Sequence, residues 1–172
     1  MIRQPMGVAW VSMEPNWLSP AERRAWRAFV FAQRQLVAHL NRGLQDSGLS
    51  GPDYDVLVVL SALDEDRMTA RELGAELDWE KSRLSHQLRR MQQDGLISRE
   101  LNPDDARSTM VRLLPAGRAA IEAAAPRHAA DVRRNFIELF TPDELHTIAT
   151  LNERILGHLA APGGAAAASE VS

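Results

Sequence analysis

Cysteine is absent from the 172-residue chain. Without a thiol the protein can form no disulfide and no thiolate zinc site, and it has no cysteine nucleophile or cysteine redox sensor. Long apolar runs are absent too, since no stretch reaches the roughly 18 apolar residues that a membrane helix needs. Residues 1–17 contain Arg3, Glu14 and prolines, and no long apolar core of a secretion signal follows. We therefore expect a cytoplasmic protein without a membrane partner.

The chain also lacks a positive net charge, because its formal charge at pH 7 is −3. This total does not exclude a nucleic-acid partner, since the field at a docking face depends on local charge. Acids cluster at 64–66 and 104–105, whereas residues 81–93 contain no acid. The charge is therefore segregated along the chain.

Signatures of enzymes are missing. The sequence contains no phosphate-binding glycine loop, no Gly-x-Ser-x-Gly and no His-Glu-x-x-His. We expect no catalytic activity, no cofactor and no metal site. A zinc site formed by His128, His146 and His158 with Asp143 or Glu144 is the open alternative, because imidazole and carboxylate groups suit zinc.

Four segments begin with a serine or threonine that an acid follows three residues later, namely Ser19–Glu22, Ser50–Asp53, Thr69–Glu72 and Thr141–Glu144. This spacing is typical of capping boxes at helix starts. Apolar residues at helical spacing follow each of them. We predict a further long helix from Pro115 to about Phe140.

Residues 69–113 carry the strongest pattern. A short helix from Thr69 precedes a second helix, in which Leu84, Leu88 and Met91 face the core at helical spacing. Two β-like runs follow at 96–101 and 110–114, separated by turn residues. A hairpin of this size needs a helix to pack against. The pattern indicates a winged helix-turn-helix.

The predicted fold is mainly α with a small β-hairpin wing, a winged helix-turn-helix with N- and C-terminal dimerisation helices. Broad apolar stripes on the outer helices suggest the dimer interface. The predicted parts are an N-terminal extension (1–18), a dimerisation helix (19–48), a DNA-binding domain (50–114), C-terminal dimerisation helices (115–160) and a disordered tail (161–172).

Specific residues accompany this order of elements. They are Leu73-Gly74, then Leu88, Met91, Gly95-Leu96-Ile97 and Arg99, and above all Asp105-Ala106-Arg107 followed by Val111, Leu113 and Gly117. In motif, order and spacing the chain resembles the MarR family of bacterial regulators over about residues 19–160. Pro115 departs from the family pattern, which usually has a threonine helix cap there.

The resemblance implies a homodimer that regulates transcription, as a ligand-responsive repressor, from a pseudo-palindromic operator. It places the recognition helix (about 80–93) in the major groove and the wing (about 96–114) in the minor groove. It also implies a small aromatic effector. Two alternatives stay open, a winged-helix module that binds proteins without DNA affinity and a metal-responsive regulator.

The predicted DNA contacts lie mostly on the recognition helix. Side chains in its front half, including Ser82, Arg83, His86 and Gln87, can reach base edges. Other cations there would meet phosphates, which position the helix rather than specify sequence. In full, the predicted DNA-binding residues are Thr69, Arg71, Lys81, Ser82, Arg83, Ser85, His86, Gln87, Arg89, Arg90 and Arg107.

Two further sets of residues complete the predicted site. Arg107 at the wing would enter the minor groove, where narrow DNA attracts arginine, and Asp105 would orient it through an ion pair. Trp17, Trp26 and His39 could line an effector pocket near the first helix. For Trp26, ordinary core packing is the competing interpretation.

Overall fold

The computed structural model describes residues 18–102 and 105–161, and for Ala106 and Arg107 it describes the backbone alone. Most of the predicted N-terminal extension and disordered tail lie outside the described residues. The chain divides into two units, 1–35 and 36–172. In chain order the elements are α1 (Pro20–Gln45), α2 (Gly51–Ser61), β1 (Arg67–Thr69), α3 (Ala70–Glu76), α4 (Lys81–Gln93), β2 (Ile97–Asn102), β3 (Asp105–Leu113), α5 (Pro115–Asn135) and α6 (Pro142–Ala160).

The predicted fold class is confirmed: helices dominate, and one small antiparallel sheet forms the wing. Its strand order is β1-β3-β2, so the hairpin gains a third strand that the sequence analysis did not predict. Met68 of β1 and Arg99 of β2 both pair with Val111 of β3. The second strand of the hairpin begins at Asp105 rather than at Met110, which makes the wing longer than predicted.

All four predicted capping boxes are present. The side chains of Ser50, Thr69 and Thr141 accept from the backbone N–H groups three residues on, at 3.2 to 3.3 Å. Ser19 makes the same contact with the N–H of Glu22 at 3.3 Å. In three boxes the acid is a glutamate, and hydrogen bonds from the capping residue lower the pKa of that glutamate. Local sequence therefore determines where these helices begin.

The core lies in the second unit and joins the end of α1 to α2, α3, α4, the sheet and α5. It holds the apolar faces of these elements, so that α4 rests on a packed base. The buried apolar residues are Leu44, Leu49, Val56, Leu57, Leu60, Leu73, Leu84, Leu88, Met91, Ile97, Val111, Leu113, Ile121 and Ala124.

A polar junction joins the sheet to α5. Asp66 precedes β1 with a φ of 55°, and its carbonyl oxygen accepts from the N–H of Leu113 at 2.8 Å. The guanidinium of Arg118 in α5 pairs with the Asp66 carboxylate and donates to the carbonyl oxygen of Ser61 at 3.3 Å. This junction fixes the root of the wing against α5.

The end of α5 differs from the prediction. The helix stops at Asn135, because Phe136 takes a non-helical conformation with φ −138° and ψ −63°, and a 3₁₀ turn follows at Ile137–Leu139. The apolar spacing continues through this turn, which is why the sequence predicted one helix to about Phe140. No helix within the described residues has the length and apolar character to cross a bilayer.

Candidate nucleic-acid interface

Helix α4 turns its apolar side inward and its cations outward. Leu84, Leu88 and Met91 are at most 5% exposed, as the spacing predicted. The helix contains no acid, so its exposed surface is positively charged. The side chains on that surface are Lys81, Ser82, Arg83, His86, Arg89 and Arg90. Such a surface suits a polyanion.

Two predicted contact residues on α4 are less accessible than the rest. Ser85 is half-buried. Gln87 is only 6% exposed, and its Nε2 donates to Oδ1 of Asp53 in α2 at 2.5 Å. The prediction that Gln87 reads a base is corrected here, because its amide is held in the interior by a carboxylate from another helix.

Arg90 also binds the buried carboxylate of Asp53. Its Nη2 donates to Oδ1 of Asp53 at 2.9 Å, to Oγ of Ser50 at 2.9 Å and to Oε1 of Gln87 at 3.1 Å. Burial alone would raise the pKa of the Asp53 carboxyl, but hydrogen bonds from Ser50 and Arg90 outweigh it and hold the pKa below its usual range. Asp53 is therefore ionised at neutral pH.

Arg83, a predicted base-reading residue, is packed against an aromatic ring. Its guanidinium carbon lies 4.2 Å from the ring centroid of Trp79, which is half-buried beside the core. A cation–π contact of this kind restricts the arginine to fewer conformations. Desolvation raises the pKa of the Asp55 carboxyl on α2, against the opposing effect of Arg83 and His128. The Arg83 guanidinium thus rests on Trp79, and the side chain stays exposed.

At the tip of the wing, the backbone of β3 includes Arg107, whose side chain lies outside the described residues. Asp105 is exposed, and its carbonyl oxygen accepts from Oγ of Ser108 at 3.1 Å. Asn102 closes the hairpin by donating to the same Oγ at 2.8 Å. Leu101 is 75% exposed here. The orientation of Arg107 by Asp105 remains a prediction.

The start of α3 presents the remaining predicted contacts. The Thr69 side chain is engaged in its capping box, where Oγ1 donates to Oε2 of Glu72 at 2.7 Å, and Arg71, two residues after Thr69, is exposed. Arg71 is therefore accessible to a phosphate, whereas the hydroxyl of Thr69 serves the helix.

The two predicted effector residues that the structure describes are not enclosed. Trp17 lies outside the described residues, Trp26 is 60% exposed and His39 is exposed. The core-packing interpretation of Trp26 is therefore wrong for the single chain, and the effector pocket remains a prediction. Within residues 18–102 and 105–161, no group of three histidine, aspartate or glutamate side chains could hold a metal ion.

Sequence reasoning missed the link from Asp53 to α4. Asp53 was identified as a capping residue alone, and its partner Gln87 lies 34 positions later. A usable signal was present, because Gln87 and Arg90 stand three residues apart beside an apolar stripe. A buried carboxylate needs such partners.

Comparison with known proteins gives consistent results. A family model described as the MarR family matches residues 47–108. AbsC, a MarR family transcriptional regulator from Streptomyces coelicolor, is 38% identical, with a TM-score of 0.80 over 83% of this chain and 97% of AbsC. Sco3205, a MarR family transcriptional regulator from the same organism with a crystal structure in complex with DNA, is 28% identical, with a TM-score of 0.83 over 89% of this chain and 96% of Sco3205.

A curated relative points the same way. The uncharacterized HTH-type transcriptional regulator YkoM of Bacillus subtilis (strain 168) is 24% identical over 119 residues, which are 69% of this chain and 75% of YkoM. The similarity to these proteins extends beyond the winged unit to the helices on either side.

Proposed function

Because the chain belongs to the MarR family of transcriptional regulators, we propose that it is a homodimeric repressor. In this proposal it binds a pseudo-palindromic DNA operator and releases it when a small aromatic ligand binds. Residues 50–114 form the DNA-binding domain, and residues 19–48 and 115–160 hold the two copies together. The protein works in the cytoplasm.

The observation that carries DNA binding is the acid-free α4, whose cations are exposed on a winged-helix scaffold. Similar chains include Sco3205, whose structure was determined in complex with DNA. In the proposed complex α4 enters the major groove, where Arg83 and His86 face base edges. Lys81, Arg89 and Arg90 neutralise phosphates. Arg107 reaches the minor groove.

Exposed apolar side chains support the dimer. In α6 the described structure leaves Leu151, Ile155, Leu156 and Leu159 between 45% and 65% exposed. In the first unit, Trp26 and Phe31 of α1 are 60% and 62% exposed. Soluble chains rarely leave such apolar surface uncovered. A second copy would cover it and place two recognition helices about 34–36 Å apart.

The experiment that tests DNA binding begins with a random double-stranded library. The wild-type chain should enrich an inverted-repeat duplex, and affinity for it should fall steeply between about 50 and 200 mM salt. A chain that enriches no duplex, or binds without salt dependence, is the protein-interaction module instead.

Ligand response is tested on the enriched complex. Benzoic and phenolic acids, added one at a time, should release the duplex at concentrations that leave the fold intact by circular dichroism. Zinc with and without a chelator is the comparison arm. Release by zinc alone would favour the metal-responsive alternative over an aromatic effector.

A further inference from the structure

Asp53 makes two sets of contacts, one with each carboxylate oxygen. Oδ2 accepts from the N–H of Ser50 at 2.8 Å and from its hydroxyl at 2.5 Å, which completes the α2 capping box. Oδ1 accepts instead from Gln87 and Arg90, both on α4. Helix capping therefore uses only one of the two carboxylate oxygens, and the other oxygen binds side chains of α4.

The other capping boxes show what capping alone requires. In those of Thr69 and Thr141, the glutamate uses Oε2 for both the N–H and the hydroxyl of the capping residue. These glutamates are exposed. Asp53 is 7% exposed and reaches a second helix, so it does more than begin α2.

Arg90 is held through one nitrogen of its guanidinium. Nη2 reaches Ser50, Asp53 and Gln87, and among the described residues it is the only nitrogen of this guanidinium with a hydrogen-bond partner. The side chain remains 44% exposed. The guanidinium is a rigid planar fork, so fixing one nitrogen orients the others. The N–H groups of Nε and Nη1 stay available to donate to phosphate oxygens.

We propose that Asp53, together with Ser50 and Gln87, is a positioning residue that holds Arg90 ready to bind a phosphate of the DNA backbone. The proposal rests on the proposed function. The network orders Arg90 before DNA arrives, so binding does not have to restrict this long side chain. Because Gln87 is bonded to the same oxygen, the network also fixes α4 against the start of α2.

Charge alone predicts the opposite effect of removing Asp53. A carboxylate near a duplex repels phosphates, so Asp53→Asn should tighten DNA binding if the charge acts simply through the field. Positioning predicts weaker binding, because asparagine carries no charge to hold Arg90. The sign of the change therefore separates the two explanations.

The test measures affinity for the duplex enriched by the wild-type chain, using Asp53→Asn, Arg90→Gln and the double variant. Each single variant should bind about 10-fold more weakly, as loss of one charge-assisted contact implies. The double variant should be no more than about 2-fold weaker than Arg90→Gln, because interacting residues are non-additive. Glu144→Gln, which alters a capping box that does not include the Asp53 network, should bind like the wild type.

Asp53→Asn binding as tightly as the wild type, or losses that multiply in the double variant, would overturn the proposal while leaving DNA binding intact. A wild-type chain that enriches no duplex would overturn the proposed function and the proposal together. If Asp53→Asn does not fold, the affinity of Arg90→Lys tests the positioning proposal instead. It keeps the charge but loses the fork, so it should match Arg90→Gln, and wild-type affinity would refute positioning.

Discussion

At the scale of single residues, Asp53 makes the stability of the folded protein depend on pH. Its pKa is lowered in the folded state, because bonds from Ser50 and Arg90 outweigh the effect of burial. A carboxyl with a lowered folded pKa stabilises the protein above its unfolded pKa of about 3.9. That stabilisation is lost as the pH falls through the folded pKa.

We predict that Asp53→Asn lowers the free energy of unfolding by about 1–3 kcal/mol at pH 7, through lost charge-assisted hydrogen bonds. The difference from the wild type should shrink as the pH falls below about 4, because the wild-type carboxyl then becomes protonated. Urea unfolding between pH 7 and pH 3 measures it. Other carboxyls titrate in both proteins and cancel. A difference that stays constant over this range would contradict the prediction.

Gly117 is fixed by steric contact. A Cβ built there would overlap the carbonyl oxygen of Leu96 and would lie 2.8 Å from Cδ1 of Leu113. We predict that Gly117→Ala destabilises the fold by about 1–3 kcal/mol, as overpacking does. Gly157→Ala in α6 is the control, because among residues 18–102 and 105–161 no atom outside the local helix backbone and the neighbouring residues lies within 4 Å of a Cβ there. It should be neutral or stabilising by up to about 1 kcal/mol. Equal thermal stabilities for the two variants would refute the steric argument.

Burial on α4 shows how far spacing predicts single residues. Leu84, Leu88 and Met91 are buried as their helical spacing required. Gln87 lies between them and is buried as well, although its type suggested an exposed reader. Its burial depends on Asp53, which is distant in sequence, and the residue spacing on α4 does not identify that partner.

At the scale of elements, the sequence predicted where helices begin but not which strands pair. The capping boxes identify the beginnings of α1, α2, α3 and α6 because those contacts are local. Strand β1 has only three residues and exists through its pairing with β3. Such a short segment has no periodicity of its own, so the sequence predicted a hairpin where the structure has a three-stranded sheet.

The wing carries the element-scale prediction. Arg107 lies in β3 near the hairpin tip, and we expect Arg107→Ala to weaken binding to the enriched duplex by about 10-fold, or roughly 1.4 kcal/mol. The slope of log affinity against log salt should fall by about 1, since one phosphate-region contact is lost. Fluorescence anisotropy at several salt concentrations measures both.

The matched control is Arg133→Ala, which removes an exposed arginine from the last turn of α5. It changes the net charge equally but lies outside the wing and α4, so its affinity should stay close to that of the wild type. If both variants lose affinity equally, the wing has no specific role and only total charge matters.

At the scale of the whole molecule, the order of charged residues along the chain predicted the candidate site better than the overall composition did. A net charge of −3 coexists with an acid-free α4, because the acids lie elsewhere in the chain. The cationic part of the site was therefore predictable from the order of residues. The anchoring of Arg90 was not, because Arg90 and Gln87 meet Ser50 and Asp53 only through packing of α2 against α4.

The exposed apolar side chains of α6 lead to the prediction for the assembly. Leu156 is 65% exposed, and we expect a lysine there to disrupt the dimer, because a buried charge needs a partner. Thr150→Lys is the control. It adds the same charge at an exposed position that lies about 120° from Leu156 around the helix axis. Sedimentation velocity at micromolar concentration should show a dimer for the wild type and Thr150→Lys, and a smaller species for Leu156→Lys.

DNA binding provides the second measurement on the same variants. A dimer joins two recognition helices, so the second half-site binds at a high effective concentration. Leu156→Lys should therefore lose affinity for the full inverted repeat by at least about 10-fold, yet bind a single half-site like the wild type. If Leu156→Lys remains a dimer, α6 is not the interface at that position. If it becomes a monomer and still binds the full repeat tightly, one copy suffices for recognition and the symmetric operator is wrong.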